Sequence, residues 1–352
     1  MGHKRKSRLL SEGRDLGYFW CRAGRHAMKL PRRQFLHLVA GTTALSTMSR
    51  IASAQGYPIR PVRWIVGFPP GGPNDITARI MAEFLSERLH QQFAVENRPG
   101  AASNIATESV ATSQPDGYTV MELATVNAIN ASLYKNLNYD FIRDIVLVAG
   151  IGQGPAVMAV NPKVPAGTVP EFIAYAKANP GKINMGSAGI GTPQHVIGEL
   201  FKMMTGVNMV HVPYHGAAPE LTDLIAGQVQ VSFDPIQGSI GYIKGGMLRP
   251  LAVTTTTRTD ALPNVPTIGE FVPGFEARTW QGLGAPSGTP AEITEPLNKE
   301  VNDILADPRL KARFADLGIT PMPMTPAECQ RFVTAETEKW AKVIKFAGIE
   351  PE

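Results

Sequence analysis

The chain has 352 residues, with 34 Lys and Arg against 30 Asp and Glu and a formal net charge of +4. Eleven of the bases but only two of the acids fall in the first 54 residues, so the remaining 298 hold 23 bases and 28 acids, a net charge of −5. A basic excess confined to one end gives no support to nucleic-acid binding, and Cys329, alone once Cys21 is set aside with that end, forms no internal disulfide.

The N-terminal stretch reads as an address. Pro31-Arg32-Arg33-Gln34-Phe35-Leu36-His37 is a twin-arginine pattern, a mildly apolar segment runs from Leu38 to Met48, and Ala52-Ser53-Ala54 is a small-residue cleavage site. Residues 28–54 are therefore expected to be a signal peptide cleaved near Ala54-Gln55, with 1–27 a spurious or preceding stretch, and the working compartment is the periplasm. The apolar run is far shorter than the ~20 residues of a spanning helix. The 298 residues that remain are too many for one typical core and fit two lobes.

Val62 to Val66 is an apolar run of strand length, followed by a Pro/Gly corner, Phe68-Pro69-Pro70-Gly71-Gly72-Pro73-Asn74-Asp75. Ile76, Ile80, Met81, Phe84, Leu85 and Leu89 then recur at helical spacing. Gly71 and Gly72 let backbone N–H groups approach a ligand, and the positive end of the helix dipole points into the same corner, which suits an anion. Asp75, in the first helical turn, is a capping residue that could also accept from a ligand. A tight turn with no ligand is the bland alternative.

Phe93 to Asn97 reads as a strand, Asn104 to Ala111 as a helix, and Tyr118 to Leu123 as the next strand. Loops at the carboxyl ends of parallel strands meet in one crevice, so Gly71 to Asp75 (Asn74 included), Ala102 to Asn104 and Thr125 are expected to converge. Ser103 and Asn104 serve equally as plain helix caps. Gly152-Gln153-Gly154-Pro155 marks the crossing into a second lobe.

There the pattern restarts. Thr168-Val169-Pro170-Glu171 is a capping box before a helix. Ile183 to Ser187 is a strand that leads through Ala188-Gly189-Ile190-Gly191-Thr192-Pro193 into a helix carrying Gln194, His195 and Phe201. Pro193 suits the first helical position, and Ser187 and Thr192 offer hydroxyls beside the helix N-terminus. Two anion-accepting corners, one per lobe, point to a shared cleft. His195 could face it, although a lone helical histidine is more often a packing or surface residue.

Met209 to Pro213 is a strand, Pro219 to Ala226 a helix, and Gln228 to Phe233 a strand ending at Asp234-Pro235. An acid at that end can bond a ligand hydroxyl, amine or bridging water, or cap a helix. Arg249 to Thr254 is another strand, and Arg278 to Ala285 the return crossing. Three helices close the chain, with capping boxes at Thr289-Pro290-Ala291-Glu292 and Thr325-Pro326-Ala327-Glu328 and with Trp340 and Phe346 as core residues of the last. The lobes are expected to comprise residues 55–155 plus 280–352 and residues 156–279.

Catalytic signatures fail one by one. Ser187 and Ser239 lack the glycine of a nucleophile elbow, Gly181-Lys182 lacks the rest of a phosphate loop, and Pro213 interrupts any helical face between His211 and His215. The chain reads as a binder that needs no cofactor or metal.

In order and spacing, the Phe68 to Asp75 loop, Arg98-Pro99-Gly100, Asn161-Pro162, Ala178-Asn179-Pro180-Gly181, Gly189 to His195, His211-Val212-Pro213-Tyr214, Arg249 to Thr254 and Pro266-Thr267 resemble the Bug family. These are extracytoplasmic solute receptors of tripartite tricarboxylate transporters. The resemblance spans residues 57 to 352. It implies an α/β two-lobed periplasmic binding (Venus flytrap) fold, each lobe a mostly parallel sheet flanked by helices. It also implies carboxylate capture by the two loops, largely through backbone N–H groups and waters. Phe68, Gly71, Gly72 and Asp75 would form one clamp, Ser187, Gly191, Thr192 and His195 the other, and Asp234 would select the far end of the ligand. The implied partners are a small organic carboxylate (a di- or tricarboxylate, amino acid or aromatic acid) and cognate membrane subunits, for a monomeric receptor. A ligand sensor for a membrane signalling protein, and a hydrolase or isomerase using Asp75, His195 and Asp234, are the competing readings.

Overall fold

A computed structural model describes residues 56–350, with only the backbone of 346 and 347. The leader, its cleavage point and the packing of Phe346 lie outside the described residues. From Tyr57 the chain runs through β1 (Val62–Val66), α1 (Pro73–Leu89), β2 (Phe93–Asn97), α2 (Asn104–Ala111), β3 (Thr119–Ala124), α3 (Thr125–Leu133), α4 (Phe141–Asp144) and β4 (Ile145–Gly154). Next come β5 (Ala156–Val160), α5 (Val169–Ala178), β6 (Ile183–Ser187), α6 (Pro193–Thr205), β7 (Met209–Pro213), α7 (Ala217–Ala226), β8 (Val231–Pro235), α8 (Ile236–Lys244) and β9 (Arg249–Val253). The return is β10 (Thr279–Pro286), then α9 (Ala291–Ala306), α10 (Pro308–Asp316), β11 (Thr320–Pro321) and α11 (Pro326–Ala347).

Two sheets result. The first has the order β11-β4-β10-β3-β1-β2 and the second β7-β6-β8-β5-β9. Both are mixed rather than mostly parallel. β1 pairs parallel with β2 and β3, and β6 parallel with β7 and β8, as βαβ units require. The strands that carry the chain between lobes enter from the opposite end, so β10 is antiparallel to both β3 and β4, and β5 to both β8 and β9. Only Pro155 separates β4 in one sheet from β5 in the other.

The apolar runs of the sequence are apolar because both sheet faces are covered. Val62, Trp64, Ile65 and Val66 are fully buried, as are all five residues of β5. One core gathers Trp64, Phe93 and the inner faces of α1, α9 and α10. In the other lobe Phe201 packs against Phe172, Phe233 and Phe275. Trp340 is buried, and its indole donates to the Glu336 carboxylate at 3.1 Å.

Caps explain most helix starts. Thr325 and Glu328 close a reciprocal box, and Asp307 accepts from the Arg309 amide. At Thr168 the box is half formed: its hydroxyl accepts from the Glu171 amide, but Glu171 reaches back to the Gly167 amide. The Thr289 box does not form. The helix begins one residue later, at Ala291, and the Thr289 hydroxyl donates to the Pro286 carbonyl. Two helices absent from the sequence reading, α3 and α8, follow β3 and β8 without a loop.

Candidate functional site

The carboxyl ends of β1, β3, β6, β8 and the start of β10 surround a cavity of about 530 Å³, counted out to its mouth. Its wall takes Phe68, Gly72 and Asn74 from the first Gly-rich loop and Ala188, Thr192 and Gln194 from the second. Thr125, Trp280 and Gln281 join them from the strands near the crossing. No charged side chain lines it. Four helices instead begin on its wall: Pro73 and Asn74 open α1, Thr125 and Val126 open α3, Pro193 and Gln194 open α6, and Ala217 and Ala218 open α7. The first-turn amides of a helix have no carbonyl partner within it, so this wall concentrates N–H donors and positive dipole ends.

The first loop is braced from behind. Gly71, at φ 83° where a side chain would be strained, donates its amide to Asp75 Oδ2 at 2.9 Å. Arg79 grips the same carboxylate with Nε on Oδ2 and Nη2 on Oδ1, both 2.9 Å, and Asn97 Nδ2 donates to Oδ1 at 2.8 Å and to the Phe68 carbonyl at 2.9 Å. Burial works against the Asp75 charge, but Arg79, the Gly71 amide and Asn97 outweigh it and hold the carboxyl below its usual range. Asp75 is 3% exposed and stays off the cavity wall.

The second loop is braced by neutral groups. Gly191, at φ 76°, donates its amide to His195 Nδ1 at 3.2 Å. His195 stacks on His211 with ring centroids 3.8 Å apart and planes 6° from parallel, and His211 Nε2 lies 2.6 Å from Ser187 Oγ. The Thr192 hydroxyl donates to the Gly189 carbonyl at 2.6 Å. Burial, with the Lys202 charge nearby, pulls His195 down to about 4; burial and the stacked His195 pull His211 to about 3. Both rings are neutral at pH 7.

Asp234 lies fully buried under the second-lobe side of the cavity, where its Oδ1 accepts from Gln194 Nε2 at 3.2 Å. Burial pushes it up to about 6, against the hydrogen bond from Gln194. Burial and the Asp234 charge push Glu220 well above the carboxylate range. Asn104 is also inside the protein, where its Oδ1 accepts from Asn130 Nδ2 and from the Tyr139 hydroxyl.

Of the twelve residues singled out in the sequence, Phe68, Gly72, Asn74, Thr125 and Thr192 stand on the wall. Gly71, Asp75, Ser187, Gly191 and His195 shape the loops from behind, Asp234 sits behind Gln194, and Asn104 supports α3. Sequence reasoning missed Gln194, Trp280 and Gln281 as wall residues. The pairing of Gln281 with Ala124 brings β10 beside Thr125, whose Oγ1 accepts from the Trp280 amide at 2.9 Å. Trp280 is fixed in turn by Glu336, which accepts its indole N–H at 3.0 Å. A tryptophan and a glutamine on a strand crossing between lobes were the available signal. Among the described residues, no three His, Cys, Asp or Glu side chains group as a metal site.

Comparison with known proteins gives the same fold and a family. Residues 77–349 match the model of the tripartite tricarboxylate transporter family receptor, TctC. The chain is 35% identical over 299 residues to Protein BugT of Bordetella pertussis, which covers 84% of this chain and 92% of BugT. An R. palustris protein solved with adipate superposes with a TM-score of 0.82 at 38% identity, covering 84% of this chain and all of that one. MatC from Rhodopseudomonas palustris, solved with bound malate, gives 0.78 at 29% identity over 82% of this chain and all of MatC. Receptors of this family are periplasmic solute-binding proteins, and the two-lobed α/β fold is theirs. This chain belongs to the tripartite tricarboxylate transporter receptor (TctC) family.

Proposed function

We propose that the protein captures a small organic carboxylate in the interlobe cavity and hands it to cognate membrane subunits of a tripartite tricarboxylate transporter. The observation that carries the reading is an uncharged cavity onto which four helices open. One N-terminus is worth roughly 0.3–1 kcal/mol to an anion at a surface and up to ~2 kcal/mol when partly buried. Four together supply a large part of the ~8 kcal/mol of a micromolar complex without any lysine or arginine. Relatives have been solved with adipate and with malate. Asp75, His195 and Asp234, the acid–base set of the enzymatic alternative, are each engaged behind the wall.

In this reading residues 55–155 with 280–352 form one lobe and 156–279 the other, and closure about the Pro155 and Thr279 crossings encloses the ligand. The twin-arginine leader would deliver the chain to the periplasm and be removed near Ala54-Gln55. Titration calorimetry across mono-, di- and tricarboxylates, amino acids and aromatic acids tests the proposal. At a hundred times its dissociation constant a true ligand adds ~2.7 kcal/mol of stability. Absence of heat and of stabilisation for the whole panel removes it.

A further inference from the structure

Two glutamines reach the cavity, and their surroundings differ. Gln281 makes no side-chain hydrogen bond among the described residues, so its amide can turn either way. Gln194 cannot. Its Nε2 donates to Asp234 Oδ1 at 3.2 Å, and Asp234 is fully buried at the end of β8. The amide nitrogen is therefore drawn inward, and Gln194 Oε1, which accepts no hydrogen bond among the described residues, is left for the cavity that this residue lines. A carboxylate accepts and never donates, so it fixes which end of the facing amide turns toward it.

We propose that Gln194 is a specificity-determining residue, locked by Asp234 so that its carbonyl oxygen reads a hydrogen-bond donor on the ligand. Asp234 and Glu220 are positioning residues that touch no ligand. The ligand class is then a carboxylate that also carries a hydroxyl or ammonium group. Its carboxylate takes the helix amides, and its donor takes Gln194 Oε1. A bare diacid leaves that oxygen unpaired, or puts a second negative charge against it. This rests on the carboxylate-receptor reading of the same cavity and narrows it.

The surroundings of Asp234 support the lock. The second acid is Glu220, from the first turn of α7, and it is fully buried as well. Burial and the Asp234 charge push Glu220 well above the ordinary carboxylate range, while burial raises Asp234 to about 6. The remaining groups around Asp234 are neutral: Gln194 from α6, and Ser232 on its own strand. No cation competes for Asp234, so its orienting effect on Gln194 is lost only by protonation. The donor preference should fade between pH 7.5 and pH 5.

The test is calorimetry on the intact receptor with acids matched in carbon number: succinate, malate and aspartate at four carbons, and adipate and 2-hydroxyadipate at six. At pH 7.5 the hydroxy or amino acid should bind about tenfold tighter than its plain partner, as a net hydrogen bond allows. Gln194→Met, close in length but without an acceptor, should bring that ratio to about one with little change for the plain acid. Asp234→Asn can donate to Gln194 Oε1 and turn the amide over. It should shift the preference toward the plain diacids and abolish the pH dependence of the ratio. A merely structural role for Asp234 would weaken every ligand alike. If carboxylates bind without a donor preference, or if Gln194→Met preserves it, the assignment falls while the receptor reading stands. If none of these acids nor any other carboxylate binds, both fall.

Discussion

The two cavity loops share one plan and differ in the chemistry of their brace. Gly71, Gly72, Pro73, Asn74 and Asp75 correspond step for step to Gly191, Thr192, Pro193, Gln194 and His195. In each, a glycine with positive φ donates its amide to the side chain four residues on, proline takes the first helical position, and an amide side chain follows on the wall. The acceptor is an ionised carboxylate in one lobe and a neutral imidazole in the other. A carboxylate there demands a cation, and Arg79 supplies it across one helical turn. An imidazole demands none, so the second lobe keeps its loop without a buried ion pair. The consequence is sensitivity to protons: Asp75 keeps its charge in mild acid, whereas His195 and His211 must stay neutral to hold their bonds.

The largest effect expected from this difference is an acid-induced loss of stability arising in the second lobe. Above pH 6.5 the histidines are neutral in both folded and unfolded chains and cost nothing. Below it the unfolded chain takes up protons that the folded protein, with values near 4 and 3, refuses. Stability therefore falls as pH falls, by about 1.4 kcal/mol per unit for each histidine until its folded value is reached. Urea unfolding at pH 6.5 and 4.5 should show a loss of several kcal/mol. A His195→Asn/His211→Gln double variant, which keeps hydrogen-bonding atoms but does not titrate, should flatten most of it. An equal slope in that variant would break the contrast between the two braces. Asp75 loses stability in the same direction but only at lower pH: its depressed value leaves its contribution intact until pH drops below the ordinary aspartate range.

Removing each acceptor separately sharpens the comparison. Asp75→Ala strips the Gly71 amide, Asn97 and Arg79 of a charged partner, and hydrogen bonds to charged groups are worth about 1.5–3 kcal/mol. The expected cost is about 2 kcal/mol at pH 7, with weaker ligand binding as the loop loosens. His195→Asn retains an acceptor near the Gly191 amide and should cost about 1 kcal/mol or less. Chemical denaturation of both variants at one pH makes the check, and a larger loss in His195→Asn would reverse the ranking.

Most of this plan was legible in the sequence because it is local. The Gly/Pro corners, the helices behind them and the alternation of strand and helix are set by residues within a few positions of one another, and the two-lobed fold follows from that alternation. What escaped detection depends on contacts distant in the chain. Helix α3, Thr125 to Leu133, carries two asparagines, a serine and a threonine; helix α8, Ile236 to Lys244, carries two glycines. Both have poor intrinsic propensity and are held by tertiary packing. Their absence from the sequence reading hid one of the helix N-termini that make the cavity attractive to anions. Asp234 is a third case: an acid at a strand end reads as a ligand contact, but only the packing of α6 and α7 puts Gln194 between it and the cavity.

The smallest expected effect concerns how the loops meet the opposite lobe. The second lobe offers tight glycine contacts: a side chain at Gly238 would come within 3.1 Å of Pro73, and one at Gly191 within 2.7 Å of Leu133 and 3.1 Å of Asn130. Gly191 has positive φ, so replacing it would confound strain with contact. Gly238 is helical and free of that complication. Gly238→Ala should favour α8 by about 0.5–1 kcal/mol, while crowding Pro73 only when the lobes are together. The unliganded protein should thus melt higher and bind its carboxylate about fivefold more weakly. Gly241→Ala, in the same helix but with open space around it, should give the stability gain without the loss of affinity. If the two variants bind alike, Pro73 and Gly238 are not a seat for closure, and the contact between them is incidental to ligand capture.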